Sequence, residues 1–287
     1  MKAAGLKIAV VSWVLGVGAS GALSAATTPA GAGAPAEPAL KSAAVLVMDE
    51  GNESVLYEQH ADVAVPIASI TKLMTALVVL DAGQPMDEVL QITAADRDTL
   101  RGSTSRLAIG ARLTRAEMMH LALMASENRA AHALGRNYPG GLAAMIEAMN
   151  ARARVLGMER TTFVDPTGLS SGNVASPQDL SKLVIAAARN TTIREYSTDQ
   201  MLTVRVGKQQ LEFRNTNTLV TRPDWDIALQ KTGYISEAGK CLVMKAMIAG
   251  RSVVIVLLDS YGKYTRIADA RRIKTWMESR ILAAAAR

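Results

Sequence analysis

The chain has 287 residues, with 32 lysines and arginines against 26 aspartates and glutamates and a formal net charge of +6. At 49% hydrophobic residues it can bury a sizeable core in one large domain or two small ones, which excludes a disordered chain. Only 4% of residues are aromatic, so nucleic-acid binding by base stacking is disfavoured, and the basic surplus reads as the surface of a soluble domain.

The amino terminus reads as an address. Lys2 and Lys7 make a short basic region, Ile8 to Leu23 carries no charge, and Ser24, Ala25 and Ala26 are small enough for signal peptidase. The pattern predicts a cleavable signal peptide over 1–25 and export to the periplasm, with no stable membrane anchor after cleavage. The apolar run is shorter than the roughly 20 residues of a spanning helix and contains Gly16, Gly18 and Gly21, so an uncleaved anchor is the lesser reading. No cysteine lies near the cleavage region, which excludes a lipoprotein. Residues 26–39, rich in Ala, Gly and Pro, are expected to form a flexible linker, and 40–287 the folded domain.

Within that domain Ala43–Met48 and Ser54–Gln59 are β-prone runs around Glu50-Gly51-Asn52, a predicted hairpin. A helix is predicted from Ser69 to Ala82, with Gly83 as its stop. Thr114-Arg-Ala-Glu117 is a capping-box pattern opening a helix to about Ala125. Further helices are predicted over Glu127–Ala133, ended by Gly135, and over Leu142–Leu156, stopped by Gly157. Beyond residue 225 the runs Ile227–Tyr234, Cys241–Ala249 and Ser252–Leu258 predict an antiparallel meander. A last helix, Arg266–Ala283, places Ile267, Ala270, Ile273, Met277 and Ile281 on one side, for packing on the sheet or, less simply, for a membrane surface. The fold class is α+β: one antiparallel sheet from the N- and C-terminal segments, a helical lobe inserted between them, and the active site between the two.

Three short patterns carry the chemistry: Ser69-Ile-Thr-Lys72, Ser126-Glu-Asn128 and Lys231-Thr-Gly233. Each is weak alone, as the second matches Ser260-Tyr-Gly-Lys263 and Ser171-Gly-Asn173 demonstrate. Context separates them. Ser69 opens a helix, which puts Lys72 on the same face and surrounds the serine with free backbone N–H groups. Ser260-Tyr-Gly-Lys263 follows a strand and suits a turn, and the 171–173 match lies in a loop after Pro166-Thr-Gly168. A serine nucleophile needs a base. None of His60, His120 and His132 can be placed beside Ser69, but Lys72 can serve if burial and a second cation, Lys231, lower its pKa. Ser126 can relay the proton to a leaving amine, Asn128 can hold the acyl-side amide, and Lys231 with Thr232 can bind a carboxylate beside the scissile bond. Gly233 lets a substrate backbone approach. The single Cys241 excludes a disulfide framework and any cysteine-based metal site, the histidines lack metal spacing, and no cofactor is expected; Cys241 itself reads as buried.

The three motifs in this order resemble those of the serine penicillin-binding proteins and β-lactamases. Stretches such as ASITKLMTALVVLDAG, LALMASENRAAHALGRNYPGG, TTFVDPTGLSSGNVAS, NTNTLV and QKTGYISEAGKCLV are similar to the low-molecular-mass D-alanyl-D-alanine peptidases, over roughly residues 40 to 283. The resemblance implies a β-lactamase/transpeptidase-like fold, an acyl-serine mechanism and covalent inhibition by β-lactams. It makes Ser69 the nucleophile and Lys72 the general base, with Ser126 and Asn128 as the second motif. Lys231, Thr232 and Gly233 become the third motif, and the N–H groups of Ser69 and Tyr234 the oxyanion hole. The carboxypeptidase branch usually carries S-G-N and a further β-rich domain with a terminal anchor. Ser126-Glu-Asn128, and an end at the catalytic domain, look instead like the endopeptidase branch (the penicillin-binding protein 7 type). No glutamate stands between Phe163 and Asn173 where class A β-lactamases carry their deacylating E-x-x-L-N.

The leading expectation is therefore an exported serine DD-endopeptidase that acts on D-alanyl-meso-diaminopimelyl cross-bridge peptides of peptidoglycan. A D-alanyl-D-alanine carboxypeptidase is the alternative, and a non-catalytic wall-binding protein on the same fold a more distant one. Binding to nucleic acid is not expected.

Overall fold

The structure, a computed structural model, describes residues 36–285. The expected signal peptide over 1–25 and residues 26–35 of the expected linker lie outside the described residues. The first elements are the hairpin read from the sequence, β1 (Ser42–Asp49) and β2 (Ser54–Gln59). They are followed by the short β3 (Val65–Pro66) and the helix α1 (Lys72–Asp81), with Gly83 in the left-handed region (φ +64°) just past its end. A small ribbon of β4 (Val89–Gln91) and β5 (Arg112–Thr114) leads into α2 (Arg115–Met124). The predicted capping box forms: Thr114 Oγ1 accepts from Glu117 N, and Glu117 Oε2 accepts from Thr114 N at 2.8 Å.

Next come α3 (Asn128–Arg136) and α4 (Gly141–Val155). The sequence reading ends the first of these at Gly135, but the helix runs through it. A Cβ at Gly135 would lie 2.8 Å from Pro166 Cγ, so the glycine is there for close packing and not as a stop. Gly157 (φ +68°) does stop α4. The next stretch holds β6 (Val174–Ala175), α5 (Pro177–Ala188), α6 (Thr191–Thr198) and a hairpin of β7 (Met201–Val206) and β8 (Gln209–Arg214). The inserted lobe is thus mixed, carrying three two-stranded ribbons among its helices, where the sequence reading predicts helices alone.

The chain closes with β9 (Asp226–Ile235), β10 (Gly239–Ile248), β11 (Arg251–Ser260) and α7 (Thr265–Ala285). The main sheet has the order β2-β1-β11-β10-β9, antiparallel throughout, so the N-terminal hairpin joins the C-terminal meander through β1 on β11. Val253–Leu258 is a continuous apolar run because β11 is covered on both faces. Val253, Ile255 and Leu257 pack toward Ala270, Ile273 and Met277 of α7. Val254, Val256 and Leu258 face the larger core, which holds α1 and α5. Each such side chain contributes roughly 1.5–3 kcal/mol by burial. Helix α7 therefore uses its apolar side on the sheet, and Cys241 is buried as expected, its thiol pushed up to about 11 by desolvation. Among the described residues no helix is long and apolar enough to cross a membrane.

One buried carboxylate fastens the two chain segments together. Asp269 of α7, fully buried, accepts from Lys41 N at 3.0 Å, Ser42 N at 2.8 Å and Ser42 Oγ at 2.7 Å, and Ser42 Oγ lies 2.7 Å from Ser260 Oγ. Ser260, the decoy of the S-x-x-K pattern, is thus a structural residue at the end of β11. Asp269→Ala is expected to destabilise the fold by on the order of 3 kcal/mol in urea unfolding, because it orphans several buried donors; a change within measurement error would contradict this account.

Candidate active site

Ser69, the expected nucleophile, stands on a strained turn. Ala68–Thr71 is a single 3-10 turn that runs into α1, so Ser69 sits one turn ahead of the α-helix and not in its first turn. Ala68 has φ +49°, an unfavourable left-handed conformation for a residue with a Cβ. Two glycines press on this turn. A Cβ at Gly168 (φ +80°) would lie 2.0 Å from Ala68 O and 2.8 Å from Ser69 N; one at Gly233 would lie 3.1 Å from Ser69 N. From below, Asn173 Nδ2 donates to Thr71 Oγ1 at 3.0 Å, which makes the second S-x-N match a support for the turn, as its loop context indicates.

Lys72 is 1% exposed, and its Nζ has three neighbours: Ser69 Oγ at 2.8 Å, Asn128 Oδ1 at 2.8 Å and Thr167 O at 2.7 Å. The last two can only accept. A neutral amine spends its two N–H bonds on them and points its lone pair at the serine hydroxyl, the one neighbour with a proton to give. Burial brings Lys72 down to about 7, against the opposing pull of Asp165 and Glu127. The sequence reading credits a second cation with part of this effect. In the structure burial is the largest cause at Lys72, and Lys231 is pushed well below its ordinary value by burial and by repulsion from Lys72 and Arg266.

Ser126 lies in the corner between α2 and α3 with φ +61°, a second strained residue, two positions before Asn128. Asn128 opens α3; its Oδ1 takes the Lys72 bond while its Nδ2 donates to Ser103 Oγ at 3.1 Å. In the free protein its amide thus positions the lysine, with one N–H left for a substrate. The middle residue of this motif is not idle: Glu127, 8% exposed, caps α3 through Arg129 N and holds a negative charge near Lys72.

The third motif lies on β9, an edge strand of the sheet. Lys231 is fully buried with Nζ 2.9 Å from Thr232 O, so it lies beneath the strand. Thr232 is 4% exposed and shares a 2.5 Å hydroxyl contact with Thr216, whose N–H donates to Met124 O at the end of α2. Tyr234 is 57% exposed, its ring under Lys240 Nζ at 3.6 Å. Three separate elements thus meet: Ser69 and Asn128 both touch Lys72, and Gly233 abuts the turn of Ser69.

Sequence reasoning missed five contributors: Asp165, the carbonyl of Thr167, Arg266, Arg101 and Glu237. Asp165 accepts from Thr167 N, Thr167 Oγ1, Gly168 N and Ser170 N, and so shapes the loop that delivers Thr167 O to Lys72. The signal was present in Asp165-Pro-Thr-Gly168, an aspartate two residues before a threonine and three before a glycine, which is an Asx-turn pattern. Arg266, at the start of α7, reaches across to donate from Nη1 to Gly233 O at 3.1 Å, and its buried Nε has no partner among the described residues. No local pattern marks it. Beside the Asp165 loop Arg101 Nε donates to Leu169 O, and Arg101 Nη1 pairs with Glu237 Oε2 at 2.7 Å.

Comparison with known proteins places this geometry. The family profile described as D-alanyl-D-alanine carboxypeptidase matches residues 31–262. The chain is 46% identical over 274 residues to a D-alanyl-D-alanine endopeptidase of Pseudomonas aeruginosa, a match that covers 95% of this chain and 88% of that protein. Among solved structures, the Streptomyces K15 DD-transpeptidase superposes with a TM-score of 0.78 at 27% identity, over 84% of this chain and 98% of that one. Penicillin-binding protein D2 from Listeria monocytogenes, in its cefotaxime-bound form, superposes with a TM-score of 0.74 at 29% identity, over 86% and 99%.

The rate of Ser69 acylation is expected to rise with pH through about 7, as Lys72 loses its proton, and to level off above. Glu127 holds the Lys72 pKa up, so Glu127→Gln, which keeps the cap on α3, moves that rise to lower pH. A rise displaced to higher pH in this variant would contradict the electrostatic role.

Proposed function

The chain belongs to the D-alanyl-D-alanine carboxypeptidase family, and on that premise we propose that it is an exported DD-endopeptidase that opens D-alanyl-meso-diaminopimelyl cross-links through an acyl ester on Ser69. It is a serine-type D-Ala-D-Ala peptidase acting on peptidoglycan, on the fold of the penicillin-binding DD-peptidases. The observation that carries the catalytic reading is the buried Lys72 amine, whose two other partners leave only the Ser69 hydroxyl to face its lone pair.

In this reading Lys72 takes the Ser69 proton as Oγ adds to the D-alanyl carbonyl. The N–H groups of Ser69 and Tyr234 hold the oxyanion. The tetrahedral intermediate expels the amine, which receives the proton through Ser126, and the ester on Ser69 remains. Water then attacks the ester with Lys72 again as base, releasing the acid and the free serine. The carboxylate beside the scissile nitrogen goes to Thr232 and Arg266 at the strand edge, with Lys231 beneath. Burial, Lys72 and Arg266 push Lys231 well below its ordinary value, and an arriving carboxylate supplies a counter-charge that favours its protonated form.

The endopeptidase preference rests on the 46% relative and on Ser126-Glu127-Asn128; the family's name supports a carboxypeptidase as the second reading. β-Lactams are expected to acylate the same serine, which the cefotaxime complex of the Listeria protein supports. Export to the periplasm rests on the leader at 1–25.

A fluorescent penicillin is expected to label the wild-type protein and Ser260→Ala but not Ser69→Ala; label retained by the last variant would remove Ser69 from its role. With a purified cross-linked muropeptide dimer and a pentapeptide monomer, dimer is expected to disappear much faster than free D-alanine appears, since a large leaving peptide offers binding energy to the transition state. The reverse order would make the enzyme a carboxypeptidase.

A further inference from the structure

A cleft of about 240 Å³ opens beside Lys72, lined by Arg97, Asp98, Asn128, His132, Asp165 and Thr167. It shares Asn128 and Thr167 with the lysine cradle, so whatever fills it lies against the reacting centre. That volume has room for a long side chain. In the mechanism above the leaving group is held at the third motif, which leaves this cleft to the acyl side.

The cleft contains an oriented imidazole that the mechanism does not use. His132 stands four residues after Asn128 on α3, so the two share a face. Its Nδ1 lies 2.8 Å from Asp96 Oδ1. Asp96 is 3% exposed, and hydrogen bonds from His132, Arg136 and Thr93 N hold its carboxyl down at about 2, so it only accepts, and Nδ1 carries the proton. The other ring nitrogen, Nε2, has no hydrogen-bond partner among the described residues, and the ring lines the cleft. Asp98 adds a carboxylate, tied to the loop by Leu100 N, Arg101 N and Ser103 N, and Arg97 adds an exposed guanidinium. One wall thus offers acceptors for an ammonium and the rim a donor for a carboxylate.

We propose that this cleft is the specificity subsite for the acyl-donor peptide, and that it holds the zwitterionic side-chain end of the diamino acid preceding the scissile D-alanine. His132 Nε2 and Asp98 take its amine, and Arg97 its carboxylate. Asp96 and Arg136 are positioning residues that fix the imidazole. The inference rests on the peptidase reading, and it predicts selection for a donor residue with both charges over one that carries an amine alone.

The test uses the mature protein and three cross-linked dimers: one with the donor diaminopimelate free, one with its side-chain carboxyl amidated, and one with its side-chain amine acetylated. Wild-type kcat/KM is expected to fall roughly tenfold or more for each modified dimer. His132→Ala should lose the discrimination against acetylation, and Arg97→Ala, an exposed position that cannot threaten folding, the discrimination against amidation. Equal rates of the wild type on all three dimers would overturn the proposal, as would an Arg97→Ala variant that still rejects the amidated dimer. Failure of a fluorescent penicillin to label the wild type would bring down the acyl-serine reading itself, a separate outcome. A melting curve for His132→Ala separates lost recognition from a lost His132–Asp96 contact.

Discussion

The hydrogen-bond cradle of Lys72 is the constraint on which the other features of the site depend. An ammonium at full burial is costly, and the neutral amine is favoured down to about pH 7. Asn128 Oδ1 and Thr167 O fix the amine's two N–H bonds, so its lone pair has one direction left. That arrangement demands that three elements meet within hydrogen-bond distance. The start of α3 supplies the amide, the Asp165 loop the carbonyl, and the turn ahead of α1 the serine. It also explains why α1 lies at the centre of the lobe, with Leu73 to Val79 all buried: a helix solvated on one side could not keep its first residue dry.

Bringing backbone so close to Ser69 has a steric consequence. Gly168 and Gly233 approach from two sides, and neither position has room for a Cβ. Ala68 and Ser126 carry positive φ, and each costs on the order of 1–3 kcal/mol that the surrounding packing must offset. The offset is visible in the latches between the lobe and the sheet. Asn215 donates to Ser197 O and Asp199 O while its Oδ1 accepts from Gln230 of β9, and the neighbouring Thr216 joins Met124 to Thr232. These bonds hold the third motif at a set distance from the second, and the Arg101–Glu237 pair ties the lobe to the turn between β9 and β10.

Much of this was legible along the chain. Strong local signals gave the right elements: the Glu50-Gly51-Asn52 hairpin, the Thr114–Glu117 capping box, and the β-prone run Ser252–Leu258. In that run the two-residue period of a strand sends Val254, Val256 and Leu258 to one face of β11 and Val253, Ile255 and Leu257 to the other. Both faces are apolar, as a sheet covered on both sides requires. The reading of Gly135 as a stop failed because a glycine inside a helix and a glycine after one look alike in sequence; only the presence of Pro166 against it distinguishes them.

The sequence by itself determined the three motifs, their order, and the residue types that acyl transfer needs, because those are set by chemistry at single positions and by spacing within one element. Only the tertiary structure decided what makes them work. That Lys72 is dried by burial and not chiefly by a neighbouring cation, that Lys231 lies beneath its strand, that Thr167 contributes its backbone and Arg266 reaches Gly233 from α7, are facts of contact between segments far apart in the chain. A carbonyl is the same at every residue, and an arginine 33 positions from its partner carries no local pattern. Such roles arise from packing alone, since burial and distance exist only once the chain has folded.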